Sequence, residues 1–147
     1  MPPLRAVLDS TILVSAFLAE RQLSAQLLRQ ARQGAFLLCL SHEILNETQQ
    51  TLLTSVHIRE RYAYPDEKVY DFTQGLRAVA RIRRRVPRVT GASRDPRDDM
   101  VIACALASRA PYLVTRDKDL LDLKTYRGLE MITPEAFMGV LRKQSEP

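Results

Sequence analysis

The chain has 147 residues, a length that fits one domain and allows a substantial hydrophobic core. Its 22 lysines and arginines outnumber its 17 aspartates and glutamates, so the surface either attracts polyanions such as nucleic acid or simply keeps the protein soluble. No apolar run reaches the roughly 18 residues of a membrane helix and no signal peptide is recognisable, so we expect a cytoplasmic protein without membrane contact.

The first half of the chain alternates short apolar segments with amphipathic ones. The predicted elements are a strand over residues 5–9, helices from Ser10 and over Leu23–Gln33, a strand over 35–40 and a helix from Ser41. Asp9 closes the first strand and therefore stands at its carboxyl end. Glu47 borders the apolar stripe of the third helix, where it either points toward the same sheet edge or is an exposed surface acid.

The second half continues the same alternation of strands and helices. The predicted elements are a helix over residues 66–79, a short strand over 87–90, a helix from Asp95, strands over 111–115 and 129–132, and a helix from Thr133 to Leu141. This order predicts right-handed crossovers and therefore an α/β fold around a parallel sheet. We expect a single domain over residues 1–142 and a flexible tail over residues 143–147.

Six arginines cluster in the last turn of the helix over residues 66–79 and just after it. They are Arg77, Arg81, Arg83, Arg84, Arg85 and Arg88. Guanidinium groups match the geometry of phosphate oxygens, so this run predicts contacts with a nucleic-acid backbone; the alternative is a solvated helix face. We assign the backbone contacts to Arg83, Arg84 and Arg85, and add Arg116 from the loop after residue 115.

The helix from Asp95 carries three acids in its first turn. Asp95 fits the N-cap position and Asp98 the N3 position of a capping box with Asp in place of Glu, so both have a structural role. Asp99 has no such role. It shares its helical face with Ile102 and Leu106, so it should look inward, where an unpaired carboxylate is costly.

Acids from distant parts of the chain are expected to meet at one edge of the sheet. Asp117 and Asp119 follow the strand over residues 111–115, and parallel strands would bring them to Asp9 and the start of the Asp95 helix. Two carboxylates about 4 Å apart repel by roughly 1 kcal/mol in water and about 4 at an effective dielectric near 20, so a cation or protonation must relieve them. With no His or Cys in the set, Mg²⁺ or Mn²⁺ is favoured over zinc, and an acidic pocket with a basic rim indicates metal-assisted phosphodiester hydrolysis.

Five motifs in this order resemble the PIN-domain family, especially VapC-like toxin ribonucleases. The matching segments are residues 7–16, 41–47, 95–106, 113–121 and 132–137, which together span nearly the whole chain. Each motif alone is weak, whereas the ordered set is fairly specific.

The resemblance implies both a fold and an activity. The implied fold is a three-layer α/β/α sandwich around a mostly parallel sheet of about five strands, often in a homodimer. The implied activity is a ribonuclease that cuts single-stranded RNA to leave a 5′-phosphate and a 3′-hydroxyl, frequently as a toxin blocked by a small antitoxin. The implied Mg²⁺- or Mn²⁺-binding and catalytic residues are Asp9, Glu47, Asp99 and Asp117, with Asp119 as an auxiliary ligand.

The first acid departs from the family pattern. The family commonly has Asp-Thr-Asn or Asp-Thr-Ser there, whereas this chain has Asp9 followed by Ser10 and Thr11. The hydroxyl of Thr11 can orient Asp9 or a water but supplies no amide, and we assign an orienting role to Thr115 as well.

Two other classes of protein compete with the nuclease prediction. A non-catalytic PIN-like module would bind RNA or a protein with a weakened metal site. An aspartate-phosphoenzyme phosphatase would share the segment that ends in Asp9, but its chemistry needs a second Asp two residues later, where Thr11 stands.

Overall fold

The computed structural model describes residues 3–145, which form six strands and eight helices. The strands are β1 (Arg5–Leu8), β2 (Leu37–Ser41), β3 (Arg81–Arg83), β4 (Tyr112–Val114), β5 (Thr125–Tyr126) and β6 (Leu129–Ile132). The helices are α1 (Ser10–Leu18), α2 (Leu23–Arg32), α3 (His42–Thr54), α4 (Val56–Arg61), α5 (Asp66–Val79), α6 (Pro96–Ala107), α7 (Lys118–Leu123) and α8 (Pro134–Ser145).

The strands form one mixed sheet in the order β3-β2-β1-β4-β6-β5. Every pairing is parallel except that of β5 with β6, which confirms the α/β fold and the mostly parallel sheet. The sheet has six strands rather than about five, because β5 adds a two-residue antiparallel edge. Arg127 and Gly128 connect β5 to β6 with φ angles of 51° and 85°, as a type I′ hairpin turn requires.

Three local predictions were wrong. The strand expected over residues 87–90 is loop, and β3 instead lies at Arg81–Arg83, where Ile82 pairs with Leu40 of β2. An edge strand tolerates charged side chains, so an arginine-rich segment can occupy it. Residues 56–61, for which no helix was predicted, form α4. Helix α8 continues to Ser145, so residues 143–145 are helical rather than a tail, while residues 146–147 lie outside the described part.

The core is centred on β1 and β2. Ala6, Val7 and Leu8 are all fully buried, although consecutive strand residues point to opposite faces of a sheet. Helices must therefore cover both faces of β1, as a three-layer sandwich requires. Cys39 on β2 and Cys104 on α6 are buried free thiols. Within residues 3–145, no helix combines the length and the apolarity needed to cross a membrane.

Candidate active site

The carboxyl ends of β1 and β4 bring the first two predicted acids together. Leu8 pairs with Val114, and the backbone N–H of Asp9 donates to the carbonyl oxygen of Val114 at 3.2 Å. Asp117 follows three residues after Val114 and lies on the same side of the sheet edge as Asp9, in one cavity. The expectation that parallel strands would unite these two acids is met by the geometry.

Asp9 is held by hydrogen bonds to both of its carboxylate oxygens. Its Oδ1 accepts from the N–H of Ile12 at 3.1 Å, which caps α1, and from the hydroxyl of Thr11 at 2.5 Å. Its Oδ2 accepts from the hydroxyl of Thr115. Burial raises the pKa of Asp9, and the hydrogen bonds from the two threonines oppose that rise. Thr11 and Thr115 therefore both contact Asp9, where an orienting residue should be.

Thr115 also connects Asp9 to the loop that carries Asp117. Its hydroxyl oxygen accepts from the backbone N–H of Asp117 at 2.9 Å, and its side chain is fully buried. Asp117 caps α7, with its Oδ1 accepting from the N–H of Asp119 at 2.9 Å. Asp119 is exposed and does not line the cavity, so the structure places only its backbone beside the site.

The two neighbouring acids of α6 have exchanged their expected positions. Asp98, predicted to belong to a capping box, lines the cavity with Asp9 and Asp117, and it is 9% exposed. Asp99, predicted to face the cavity, is buried as expected but does not line it. Its Oδ2 accepts from the N–H of Gly91 at 3.1 Å and its Oδ1 from the N–H of Ser93 at 2.7 Å. Asp99 thus anchors the loop before α6.

Helix geometry explains this exchange. Consecutive helical residues point about 100° apart, so only one of two adjacent acids can face a given cavity. Asp95 is the N-cap, its Oδ1 accepting from the N–H of Arg97, whereas Asp98 accepts from the hydroxyl of Ser93 at 3.3 Å. Burial, followed by the charges of Asp117 and Asp95, raises the pKa of Asp98 to about 6. The raised pKa reports a carboxyl that shares a confined space with other carboxylates.

The cavity has a volume of about 140 Å³ and is lined mainly by acids. Its nine lining residues are Asp9, Ser10, Thr11, Glu47, Asp95, Arg97, Asp98, Val101 and Asp117. Glu47 of α3 is half-buried and faces this cavity, so it is not an isolated surface acid. A larger cavity of about 590 Å³ lies between α1, α2 and residues 62–72, but its only acids are Glu20 and Asp71.

The donor set fits a hard divalent cation. Carboxylate and hydroxyl oxygens are the ligands that Mg²⁺ and Mn²⁺ prefer, and neither histidine nor cysteine lines the cavity. Among residues 3–145, however, no three acidic, histidine or cysteine side chains converge closely enough to enclose an ion. Mg²⁺ typically keeps several waters and takes only one or two protein carboxylates directly, so a closed cage is not required.

The predicted nucleic-acid contacts lie along the same sheet edge. Arg83 ends β3 and is half-buried, and Arg84 and Arg85 are exposed just beyond it. Adjacent strands are about 4.8 Å apart, which places the end of β3 about 10 Å from that of β1. Arg116 is exposed beside Thr115, and its Nη1 pairs with Glu135 at 2.8 Å. These arginines therefore follow strands whose carboxyl ends form one edge of the sheet, but none of the four lines the acidic cavity.

Three charged cavity residues were not predicted as site residues, namely Asp95, Arg97 and Asp98, and neither were the uncharged Ser10 and Val101. The signal that could have found the charged residues is their place in the first turn of α6, because the N-terminal turn of a helix after a parallel strand faces the ligand-binding edge of the sheet. The N-cap role of Asp95, which was predicted, is present in addition.

Comparisons with known proteins agree with this architecture. The sequence profile described as PIN domain matches residues 5–119. The structure of PAE2754 from Pyrobaculum aerophilum is similar with a TM-score of 0.67 and 15% identity, over 96% of this chain and 91% of that one. VapBC2 from Rickettsia felis, bound to a DNA fragment from their promoter, is similar with a TM-score of 0.60 and 18% identity, over 88% of this chain and 98% of that one. A comparison with curated protein sequences finds no match.

At these identities the two structures show the shared fold, while the profile match extends over most of the sequence and includes Asp9, Glu47, Asp98 and Asp117. The chain therefore belongs to the PIN-domain family.

Proposed function

We propose that the protein is a Mg²⁺- or Mn²⁺-dependent ribonuclease that hydrolyses phosphodiester bonds of single-stranded RNA. PIN domains are generally nucleases. The observation that carries the proposal is the convergence of Asp9, Glu47, Asp98 and Asp117, from four separate segments, on one cavity of about 140 Å³. A set of buried carboxylates with one pKa raised to about 6 is unfavourable by itself, and a functional cation would relieve it.

Asp9, Asp98 and Asp117 would hold the ion, one or two of them directly and the rest through its bound waters. When bound, the ion supplies a water of lowered pKa and neutralises charge on the leaving oxygen. Thr11 and Thr115 each donate one hydrogen bond to Asp9, which fixes the carboxylate plane. Because Oδ1 also accepts from the N–H of Ile12, one acceptor site on Oδ2 is left for an ion or its waters. Glu47 stands on a different element from the other acids and would accept hydrogen bonds from waters in the cavity.

Three predicted ligands are not part of the proposed metal set, namely Glu47, which lines the cavity but is assigned to its waters, Asp99 and Asp119. Asp99 uses both carboxylate oxygens to hold the backbone of residues 91 and 93, so neither is directed at the cavity. Asp119 is exposed, and its N–H rather than its carboxylate contacts Asp117. Asp98 takes the position for which Asp99 was predicted.

The RNA strand would contact the arginines that follow β3 and β4. Arg84 and Arg85 are exposed just after β3, which ends at Arg83, and Arg116 is exposed just after β4. Guanidinium groups at these positions would hold successive phosphates while one phosphodiester enters the acidic cavity. The net charge of +5 favours the same class of substrate.

The enzyme proposal is tested by cleavage of a labelled single-stranded RNA. We expect cleavage with Mg²⁺ or Mn²⁺, none with EDTA, and a loss of at least about a hundredfold in Asp98→Asn. Exposed Asp122→Asn on α7 serves as the control for an acid outside the cavity. RNA binding without metal-dependent cleavage would instead favour the non-catalytic PIN-like module.

We further propose that the protein is the toxin of a toxin-antitoxin pair, acts in the cytoplasm and forms a homodimer. The likeness to a chain of the VapBC2 structure, a toxin-antitoxin complex, supports an antitoxin partner. Inducible expression with and without the neighbouring small open reading frame tests this pairing. Growth arrest that the neighbour relieves is the expected result, and light scattering of the purified protein tests the dimer.

A further inference from the structure

Arg97 is the only basic residue among the nine that line the acidic cavity. It occupies the second position of α6, between Pro96 and Asp98, and its side chain is 74% exposed. A phosphodiester that approaches five carboxylates is repelled by each of them. The guanidinium of Arg97 is the one cavity-lining group that attracts it.

Asp95 holds this guanidinium by one edge. The Nη2 of Arg97 donates to Oδ2 of Asp95 at 3.0 Å, and its Nε lies 3.3 Å from Oδ2 and 3.4 Å from Oδ1. The same carboxylate accepts from the backbone N–H of Arg97 at 2.9 Å. The carboxylate of Asp95 therefore caps α6 and at the same time fixes the orientation of the Arg97 guanidinium. The Nη1 group makes no hydrogen bond within residues 3–145, so its two N–H donors are available to a ligand.

The acids around Arg97 keep it at the mouth of the cavity. Hydrogen bonding to Asp95 raises the pKa of Arg97, and the charges of Glu47 and Asp98 act in the same direction. Arg97 is thus attracted both to Asp95, the N-cap of its own helix, and to Glu47 of α3. It remains charged under all conditions in which the protein is folded.

We propose that Arg97 is a substrate-positioning residue whose free guanidinium edge binds a phosphate oxygen of the nucleic-acid strand at the mouth of the cavity, with Asp95 orienting it. This inference rests on the proposed nuclease function. Arginine suits the task because its planar fork can use Nε and Nη2 for Asp95 and Nη1 for phosphate at the same time. A lysine at this position has one ammonium group and cannot divide its contacts in the same geometry.

The proposal predicts effects of opposite sign on the two ligands of the cavity. Removing the positive charge in Arg97→Gln should weaken the binding of RNA, because one phosphate contact is lost. The same change should tighten the binding of Mg²⁺, because Glu47 and Asp98 lose a neighbouring cation that competes with the metal. A purely structural role for Arg97 predicts that both affinities fall together or stay unchanged.

The test measures four proteins: wild type, Arg97→Gln, Arg97→Lys and the control Arg94→Gln, which removes the same charge from an exposed residue outside the cavity. Binding of a fluorescein-labelled 12-nucleotide single-stranded RNA is followed by anisotropy in EDTA, and binding of Mg²⁺ alone by calorimetry. For Arg97→Gln we expect RNA affinity to fall about tenfold, and the slope of log K against log salt to shrink by about 0.7. Arg97→Lys should recover part of the affinity, and Arg94→Gln should stay within about twofold of wild type.

The proposal is overturned if Arg97→Gln binds RNA as tightly as Arg94→Gln does. It is also overturned if Arg97→Gln binds Mg²⁺ more weakly than wild type. Cleavage by the wild type is measured separately in Mn²⁺ and decides only whether the protein is a nuclease. If it cuts, KM should rise more than kcat falls in Arg97→Gln, because the contact is already made in the bound substrate. If it does not cut, the nuclease proposal fails while the opposite shifts in the two affinities still test Arg97.

Discussion

Changing Asp98 or Asp99 to Asn in the metal-free protein should alter the free energy of unfolding in opposite directions. Asp99 accepts backbone N–H bonds on both oxygens, from Gly91 and Ser93. In Asp99→Asn one of these N–H groups would face an amide N–H₂, so a buried donor loses its acceptor at a cost of about 1–3 kcal/mol. At about 2–4 °C per kcal/mol for a chain of this size, we expect Tm to fall by about 2–12 °C.

Asp98→Asn should stabilise the same protein at high pH. The pKa of Asp98 is raised to about 6 from an ordinary value of 3.8, mainly by burial and then by Asp117. A shift of this size means that the folded protein destabilises the charged form of Asp98 by about 3 kcal/mol. Partial solvent access reduces this destabilisation to about 1–2 kcal/mol. Because the folded-state pKa is raised above the unfolded value of 3.8, the penalty is absent below about pH 4, grows between about pH 4 and 6 and is complete above about pH 6.

Thermal melts in EDTA at pH 8 and at pH 4 measure both effects. At pH 8 we expect Asp98→Asn to melt about 2–6 °C above wild type and Asp99→Asn to melt below it; at pH 4 the advantage of Asp98→Asn should vanish. Nuclease activity should be lost in Asp98→Asn and retained in Asp99→Asn below its melting temperature. A stable, inactive Asp99→Asn beside an active Asp98→Asn would refute the assignment of Asp98 to the cavity.

Three further predictions concern the supporting groups of the site. Thr115→Val removes a hydroxyl that contacts the segments of Asp9 and Asp117, and it should lower the free energy of unfolding by about 1–2 kcal/mol and abolish most of the activity. Thr115→Ser should keep the stability and the activity, as measured by urea unfolding and cleavage assays. Changing both Arg84 and Arg85 to Gln should reduce the salt slope of RNA binding by about 1.4, while the same changes at the exposed residues 142–143 of α8 should leave it unchanged in anisotropy titrations. Mg²⁺ at a hundredfold excess over Kd should add about 2.7 kcal/mol to the free energy of unfolding of wild type and so raise its Tm in differential scanning fluorimetry. The Tm of Asp98→Asn should not rise. An equal rise in both proteins would place the ion elsewhere.

The alternation of strands and helices was predictable because each of these elements depends on residues that are neighbours in the chain. The parallel sheet follows from that alternation. The same local order puts Asp9 and Asp117 at the carboxyl ends of their strands, and parallel pairing then brings these ends together. The N-cap of α6 at Asp95 was predictable for the same reason, since capping involves atoms within one turn. The resemblance to PIN-domain motifs identifies the family, because the motifs that carry the acids occur in the family's order.

The position of β3 and the roles of Asp98 and Asp99 depend on distant contacts. Residues 81–83 become a strand because the exposed edge of β2 accepts them there, which their own composition does not indicate. Whether Asp98 or Asp99 faces the cavity depends on the rotation of α6 about its axis, and one residue corresponds to about 100°. That rotation is decided where α6 packs against β1 and β2 and where residues 91 and 93 return to meet Asp99. Helical periodicity identifies which residues share a face, but only packing against the rest of the chain decides what that face contacts.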